Sequence, residues 1–274
     1  MSVTGSSTQN ASDTPQRMSS YTQLSLYSNH LNVRDKTVKA VQYSCRFLAS
    51  YYVSLPEAQV QAQLLGDVTF LCSMGRKLFR IFKSINCLEQ LMSKLRRVPA
   101  SITTVKEVAF ILEMFEHLFL GLFYYYDNVL LLGRSKLLPK YDGRLWELRA
   151  YSAWFLHDGT AFIRKLILLY DCAVDEHRER GDALVTTSTS TTTSPGRVVQ
   201  QRRQAVMRAL AKRRTRLLWG IFKSFCDLWV SGGMFANLTS PGNRRVTETT
   251  IGLCGAVSAV IAISDSMEEC DLAN

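Results

Sequence analysis

An all-α fold is predicted for this chain of 274 residues, in the form of an amphipathic helical membrane protein. Three observations predict it. Apolar residues recur at three- and four-residue spacing along most of the chain, with no convincing β-hairpin signal. One segment sorts its cations and its apolar side chains onto opposite faces, and two later segments are almost purely apolar. The pattern divides the chain into a tail over 1–30, a helical membrane-associating region over 31–172, a flexible linker over 173–200, and a basic helix with C-terminal membrane-anchoring segments over 201–274.

The tail is rich in Ser and Thr and lacks an apolar run, so neither a secretory signal nor a mitochondrial presequence is expected. The first helix is expected over Val33–Tyr52, where Val38, Val41, Cys45, Leu48 and Tyr52 share a face, and Pro56 ends it. A second helix is expected from Glu57 to Arg97, closed by Pro99. It holds the most informative stretch, GDVTFLCSMGRKLFRIFKSI (66–85). At 100° per residue, Arg76, Lys77, Arg80 and Lys83 share an arc of about 120°. Val68, Leu71, Met74, Leu78, Phe79, Ile81, Phe82 and Ile85 fill the other side. A cationic face against an aromatic and aliphatic one suits a helix lying in the plane of a lipid surface. The ordinary alternative is a core-facing helix with a solvated basic side.

Thr104 with Glu107 forms a capping-box pattern that opens a helix through 108–132, a nearly continuous apolar run interrupted by Glu113, Glu116, His117 and Asp127. Another helix is expected over Asp142–Cys172, followed by charged residues and then the Ser/Thr tract 186–194 with Pro195-Gly196, a linker by composition. Beyond it, 197–216 is basic and helix-compatible, and 217–238 is long enough to cross a bilayer although Lys223 and Asp227 lie within it, four apart and able to pair. A turn is expected around Pro241-Gly242-Asn243. The last segment, Thr249–Ser264, has no charge, and Gly252, Gly255, Ala256 and Ala259 give overlapping small-xxx-small pairs that suit close packing of a membrane anchor. With both 217–238 and 249–264 crossing, the Arg-rich stretch and the acidic C-terminus share the cytosolic side, which the positive-inside rule favours for 197–216.

The net charge of +10 is concentrated in two blocks: 34–97 carries 11 basic against 4 acidic residues, and 197–216 carries 8 against none. Separated basic blocks favour an anionic partner. A phospholipid membrane is expected and nucleic acid is not, because 197–216 has no aromatic side chain to stack on bases. The seven cysteines include no Cys-x-x-Cys pair and none within four residues of a histidine, so neither zinc nor a disulfide framework is expected. The four histidines are scattered, Gly232-Gly233 lacks the Lys and Ser/Thr of a phosphate loop, and no cofactor or catalytic motif is found. A non-enzymatic protein is expected.

Four phrases, RDKTVKAVQYSCRF (34–47), GRKLFRIFKSI (75–85), YYYDNVLLLGR (124–134) and TTIGLCGAVSAVIAI (249–263), resemble the peroxin-11 family of peroxisomal membrane proteins, in the family's order. The Ser/Thr tract and the basic linker depart from the compact family pattern and resemble its protist members, including glycosomal proteins of trypanosomatids. The resemblance implies elongation of peroxisomal (or glycosomal) membranes before fission, through an amphipathic helix inserted into the cytosolic leaflet. On that reading Leu71, Leu78, Phe79, Phe82 and Ile85 contact lipid chains and Arg76, Lys77, Arg80 and Lys83 contact headgroups. It further implies homo-oligomers, delivery by the peroxisomal membrane-protein import receptor, and recruitment of dynamin-type fission machinery. Both termini are expected in the cytosol. Two rivals are a channel for small metabolites, with Glu113, Glu116, His117 and Asp127 lining a polar path, and a soluble helical adaptor.

Overall fold

The structure, a computed structural model, describes residues 20–99, 101–189, 197–240 and 246–271, with side chains placed except at 20–32, 182–189, 197–199 and 267–271. Seven α-helices account for almost all of these residues: α1 Ser20–Tyr52, α2 Gln59–Phe79, α3 Lys83–Leu95, α4 Val105–Arg134, α5 Gly143–Thr189, α6 Arg197–Thr239 and α7 Glu248–Asp271. No strand occurs among the described residues, as the periodicity predicts.

The helices form a closed ring of six antiparallel staves in which α2 and α3 together make one stave. Around the ring α1 packs on α2, α3 on α4, α4 on α5, α5 on α6, α6 on α7, and α7 returns to α1. Long-range pairs fix the direction at each seam. Lys39 of α1 meets Ser258 of α7 while Arg46 of α1 meets Glu248, so α1 and α7 run oppositely. Phe155 stacks near Phe235 and Lys165 bonds Ser224, which sets α5 against α6 the same way.

Several elements follow the sequence closely. The capping box at α4 is formed: the Thr104 N–H donates to Glu107 Oε2 at 2.6 Å and the Glu107 N–H donates to Thr104 Oγ1 at 3.3 Å. Lys223 Nζ lies 3.0 Å from Asp227 Oδ2. Other elements differ. The helix expected over 57–97 is two, broken at Arg80–Phe82, where Phe82 takes a left-handed φ of 66° that a side chain with a Cβ rarely adopts. The break lets α2 pack along α1 while α3 turns onto α4. Residues 173–189, expected in the linker, continue α5, because their acids meet α6: Asp175 and Glu176 face Arg213 and Arg214. The first helix starts at Ser20 rather than Val33, so part of the expected tail is helical. The rest of that tail (1–19), the tract at 190–196 and the turn at Pro241-Gly242-Asn243 lie outside the described residues.

Two helices are long and apolar enough to cross a membrane, Val105–Arg134 and Glu248–Ser266. On α4 few residues of the apolar stretch are fully buried, and Phe115, Leu118, Leu122 and Tyr125 are exposed on its outer side.

Candidate membrane interface

Inside the ring, ionic and hydroxyl side chains are buried between two apolar clusters built on Phe123 and Leu130 and on Tyr43, Val230 and Ile251, while large apolar side chains are exposed outside. Fully or nearly buried positions include Asp35, Gln42, Arg76, Lys77, Glu116, Asp127, Asp158, Asp227, Ser231 and Ser258. The outer surface carries Phe70, Leu71, Phe82, Tyr125, Leu156, Trp219 and Val260, each more than a third exposed. A water-soluble helical bundle has the opposite arrangement, since apolar burial drives its folding.

The α2–α3 stave shows how the inversion is built. Arg76 Nε donates to Asp35 Oδ1 of α1 at 3.0 Å and its Nη1 donates to Gln42 Oε1 at 2.7 Å. Arg80 Nε reaches the same Asp35 at 3.2 Å and its guanidinium sits 5.8 Å from the ring centroids of Phe123 and Tyr124. Lys77 pairs with Asp127 of α4, and Lys83 Nζ lies 6.0 Å from the Tyr124 ring centroid. The expected outward cationic face is therefore turned in: Arg76 and Lys77 are 6% and 8% exposed, and the headgroup role implied for Arg76, Lys77, Arg80 and Lys83 does not describe this fold. The physical reason is that Asp35 and Asp127 supply charge partners inside the ring, and a paired, hydrogen-bonded ion tolerates burial where a lone one does not.

With the cations inside, the same helical periodicity places the apolar residues outside. Leu71 is 66% exposed, Leu78 56%, Phe82 69% and Ile85 59%, while Phe79 is half-buried.

On α7, a Cβ added to Gly252 would lie 2.6 Å from the Phe47 backbone nitrogen, and one on Gly255 would collide with the Tyr43 ring. Ala259 is fully buried and Ala256 packs against the cluster of Tyr43, Val230 and Ile251. The small residues let the α1 backbone and the Tyr43 ring approach α7 closely, a geometry larger side chains forbid.

The four groups expected along a polar path are not brought together. Glu116 binds Arg164 of α5 in a forked pair, Nε–Oε1 2.5 Å and Nη2–Oε2 3.0 Å. Glu113 pairs with Lys94 of α3 at 2.9 Å, with His117 at 4.0 Å, and Asp127 belongs to the Lys77 pair. The polar cavity at the ring centre, lined by Gln42, Arg76, Lys77, Asp127 and Trp154, holds about 60 Å³, room for about two waters. Among the described residues no cluster of three His, Cys, Asp or Glu could hold a metal.

Sequence reasoning missed Asp35 and Gln42, the inner partners of the basic stave. The available signal was Asp35 itself, the one acid among Arg34, Lys36, Lys39 and Arg46. A second interior cluster was missed apart from its local Lys223–Asp227 pair. Lys39 Nζ donates to Asp227 Oδ1 at 2.7 Å and to Ser258 Oγ at 2.9 Å, and the Asp158 Oδ2 beside this cluster has no hydrogen-bond partner.

No solved structure matches the chain. The human and bovine proteins described as peroxisomal membrane protein 11B are each 26% identical to it over 257 residues, which cover 86% of this chain and 93% of the relative. The family model described as peroxisomal biogenesis factor 11 (PEX11) matches residues 21–267, a span holding the whole ring, and the chain belongs to that family.

Proposed function

We propose that this protein remodels the peroxisomal membrane without catalysis, elongating it ahead of fission by pressing the outer face of the α2–α3 stave into the cytosolic leaflet. Leu71, Leu78, Phe79, Phe82 and Ile85 form the inserting surface. One observation carries the reading: a stave with four cations withdraws them into the protein and presents Leu71, Leu78, Phe82 and Ile85 outward. Apolar groups inserted beneath one leaflet's headgroups expand that leaflet, and the bilayer relieves the mismatch by curving. The inner ion pairs hold the stave to the ring, so the force acts through the whole protein.

The basic start of α6 takes over the electrostatic role. Arg202, Arg208, Lys212 and Arg214 are exposed, and each cation near an anionic surface contributes about 1 kcal/mol. With this stretch at the headgroups, the termini are cytosolic. Self-association concentrates the copies that bending requires. Delivery by the membrane-protein import receptor and recruitment of dynamin-type fission machinery belong to the same reading, as the resemblance implies. A glycosomal setting rests on the Ser/Thr tract and the basic linker.

The test is Phe82→Glu with Ile85→Glu in purified protein reconstituted into anionic vesicles. Tubulation is expected to disappear while resistance to alkaline extraction persists. Tubulation at the unmodified level overturns the reading.

A further inference from the structure

We infer that lipid surrounds all six staves, so that α1, α2–α3, α5 and α6 cross the membrane beside α4 and α7. This goes beyond hydropathy, which finds only the last two. It bears on the leaflet-insertion reading, since a crossing α2–α3 stave meets both leaflets, and the protease test below is separate from the tubulation test, so the two can fail separately.

The first argument is the outer surface. Along 150–174 of α5 the charged residues Asp158, Arg164, Lys165 and Asp171 are all turned away from the exterior, and the exposed large side chains are apolar, Leu156, Ile163 and Tyr170 among them. Along 217–238 of α6, Lys223 and Asp227 face inward while Leu218, Phe222 and Trp229 face out. The same holds over 37–53 of α1 and 68–88 of α2–α3, where no charged side chain is exposed. Averaging over a helix hides this, since an inward ion counts against hydropathy as heavily as an outward one.

The second argument is dimension. At 1.5 Å per residue the charge-free outer face of α6 is about 33 Å long and that of α5 about 37 Å, against about 30 Å of bilayer hydrocarbon. Contacts inside the ring show that these faces overlap in depth. Lys39 of α1 meets Asp227 of α6 and Ser258 of α7, Arg80 sits over Phe123 of α4, and Phe123 stacks at 5.5 Å on Trp154 of α5. Arg80, Phe123, Asp227 and Ser258 fall near the middle of their staves' charge-free stretches, while Lys39 and Trp154 fall toward one end of theirs. Exposed cations resume just beyond it, at Lys212 and Arg214 on one end and at Arg134, Lys136 and Arg144 on the other.

The third argument is internal satisfaction. A charge at membrane depth persists when it is paired inside a bundle, and Asp227, Glu116, Asp127 and Asp35 each have a cationic partner on another stave.

Crossing by all staves fixes which connections share a side. The α1–α2 connection at 53–57 lies opposite the N-terminus, and the α5–α6 connection flanked by Thr189 and Arg197 lies on the N-terminal side. If only α4 and α7 crossed, both assignments would reverse. The experiment places a site for a specific endoprotease in 53–57 of one variant and in 190–196 of another, each with an N-terminal epitope, and treats intact organelles with and without detergent. The 190–196 site is expected to share the epitope's accessibility and the 53–57 site to show the opposite. A 53–57 site on the epitope's side, or a 190–196 site opposite it, overturns the inference. Should an insertion prevent folding, a protein keeping Trp229 as its single tryptophan, with the others changed to Phe, is reconstituted into vesicles of acyl-brominated phosphatidylcholine. Emission is expected to fall to half or less of its value in unbrominated lipid, and unchanged emission overturns the inference.

Discussion

Arg76 on α2 and Asp35 on α1 are joined by a 3.0 Å Nε–Oδ1 contact with side chains 8% and 12% exposed, so the basic motif is a lock between helices. Arg80 shares the same carboxylate at 3.2 Å, which gives Asp35 two guanidinium partners.

Asp35→Asn is therefore expected to lower stability in detergent by about 3 kcal/mol or more, since it leaves two buried guanidiniums without their counter-charge. Arg76→Gln is expected to cost less, because Arg80 still holds the carboxylate. Thermal unfolding followed by helical circular dichroism measures both. A headgroup role for Arg76 makes a different prediction: Arg76→Gln would weaken vesicle binding at low salt while leaving the melting temperature unchanged.

Gly252→Ala is expected to destabilise the protein by about 2 kcal/mol, the middle of the range for overpacking a tight contact. The new methyl would meet backbone of α1 at 2.6 Å rather than a side chain that can rotate away. Gly66→Ala is the control, because nothing lies within 4 Å of the Cβ it would add. That variant is expected to be neutral or more stable, by up to about 1 kcal/mol of helix propensity.

Glu116→Gln removes the charge facing Arg164 and is expected to cost about 3 kcal/mol in detergent. Adding Arg164→Leu is expected to recover much of the loss, since the buried ion then disappears along with its partner. Conductance of planar bilayers containing the protein is expected to be the same for wild type and for Glu113→Gln with Glu116→Gln, because these groups close ion pairs at separate seams.

Thr104→Ala is expected to fray the start of α4 at a cost of about 1 kcal/mol. Both capping bonds are exposed, so hydrogen exchange should accelerate at the amides of the first turn while the centre of α4 stays protected. Equal acceleration along the whole helix would show that the cap controls more than its own turn.

The helices and the α4 cap were legible because both are local: periodicity and the Thr104–Glu107 spacing are written within a few residues. The choice of which face of 66–85 turns outward was not. A helix with one cationic and one apolar side reads the same in either orientation, and the decision comes from Asp35 and Asp127, which lie 41 and 50 residues from their partners. The break at Arg80–Phe82 was illegible for a similar reason. Neither glycine nor proline marks it, and the turn is fixed by α2 packing on α1 while α3 packs on α4. The anchor's small residues were visible as a pattern, but their target, the backbone at Phe47, required the fold.

The charge-free perimeter is uneven in height. It runs about 37 Å over 108–132 of α4 and about 24 Å over 249–264 of α7, and those two staves stand across the ring from each other. With all six staves crossing as inferred above, a bilayer wetting this rim is stretched thick along one flank and pinched thin along the other. Two copies that set their short flanks side by side share one pinched zone instead of maintaining two. In the self-association proposed above, lipid elasticity then favours this pairing and gives the row a direction.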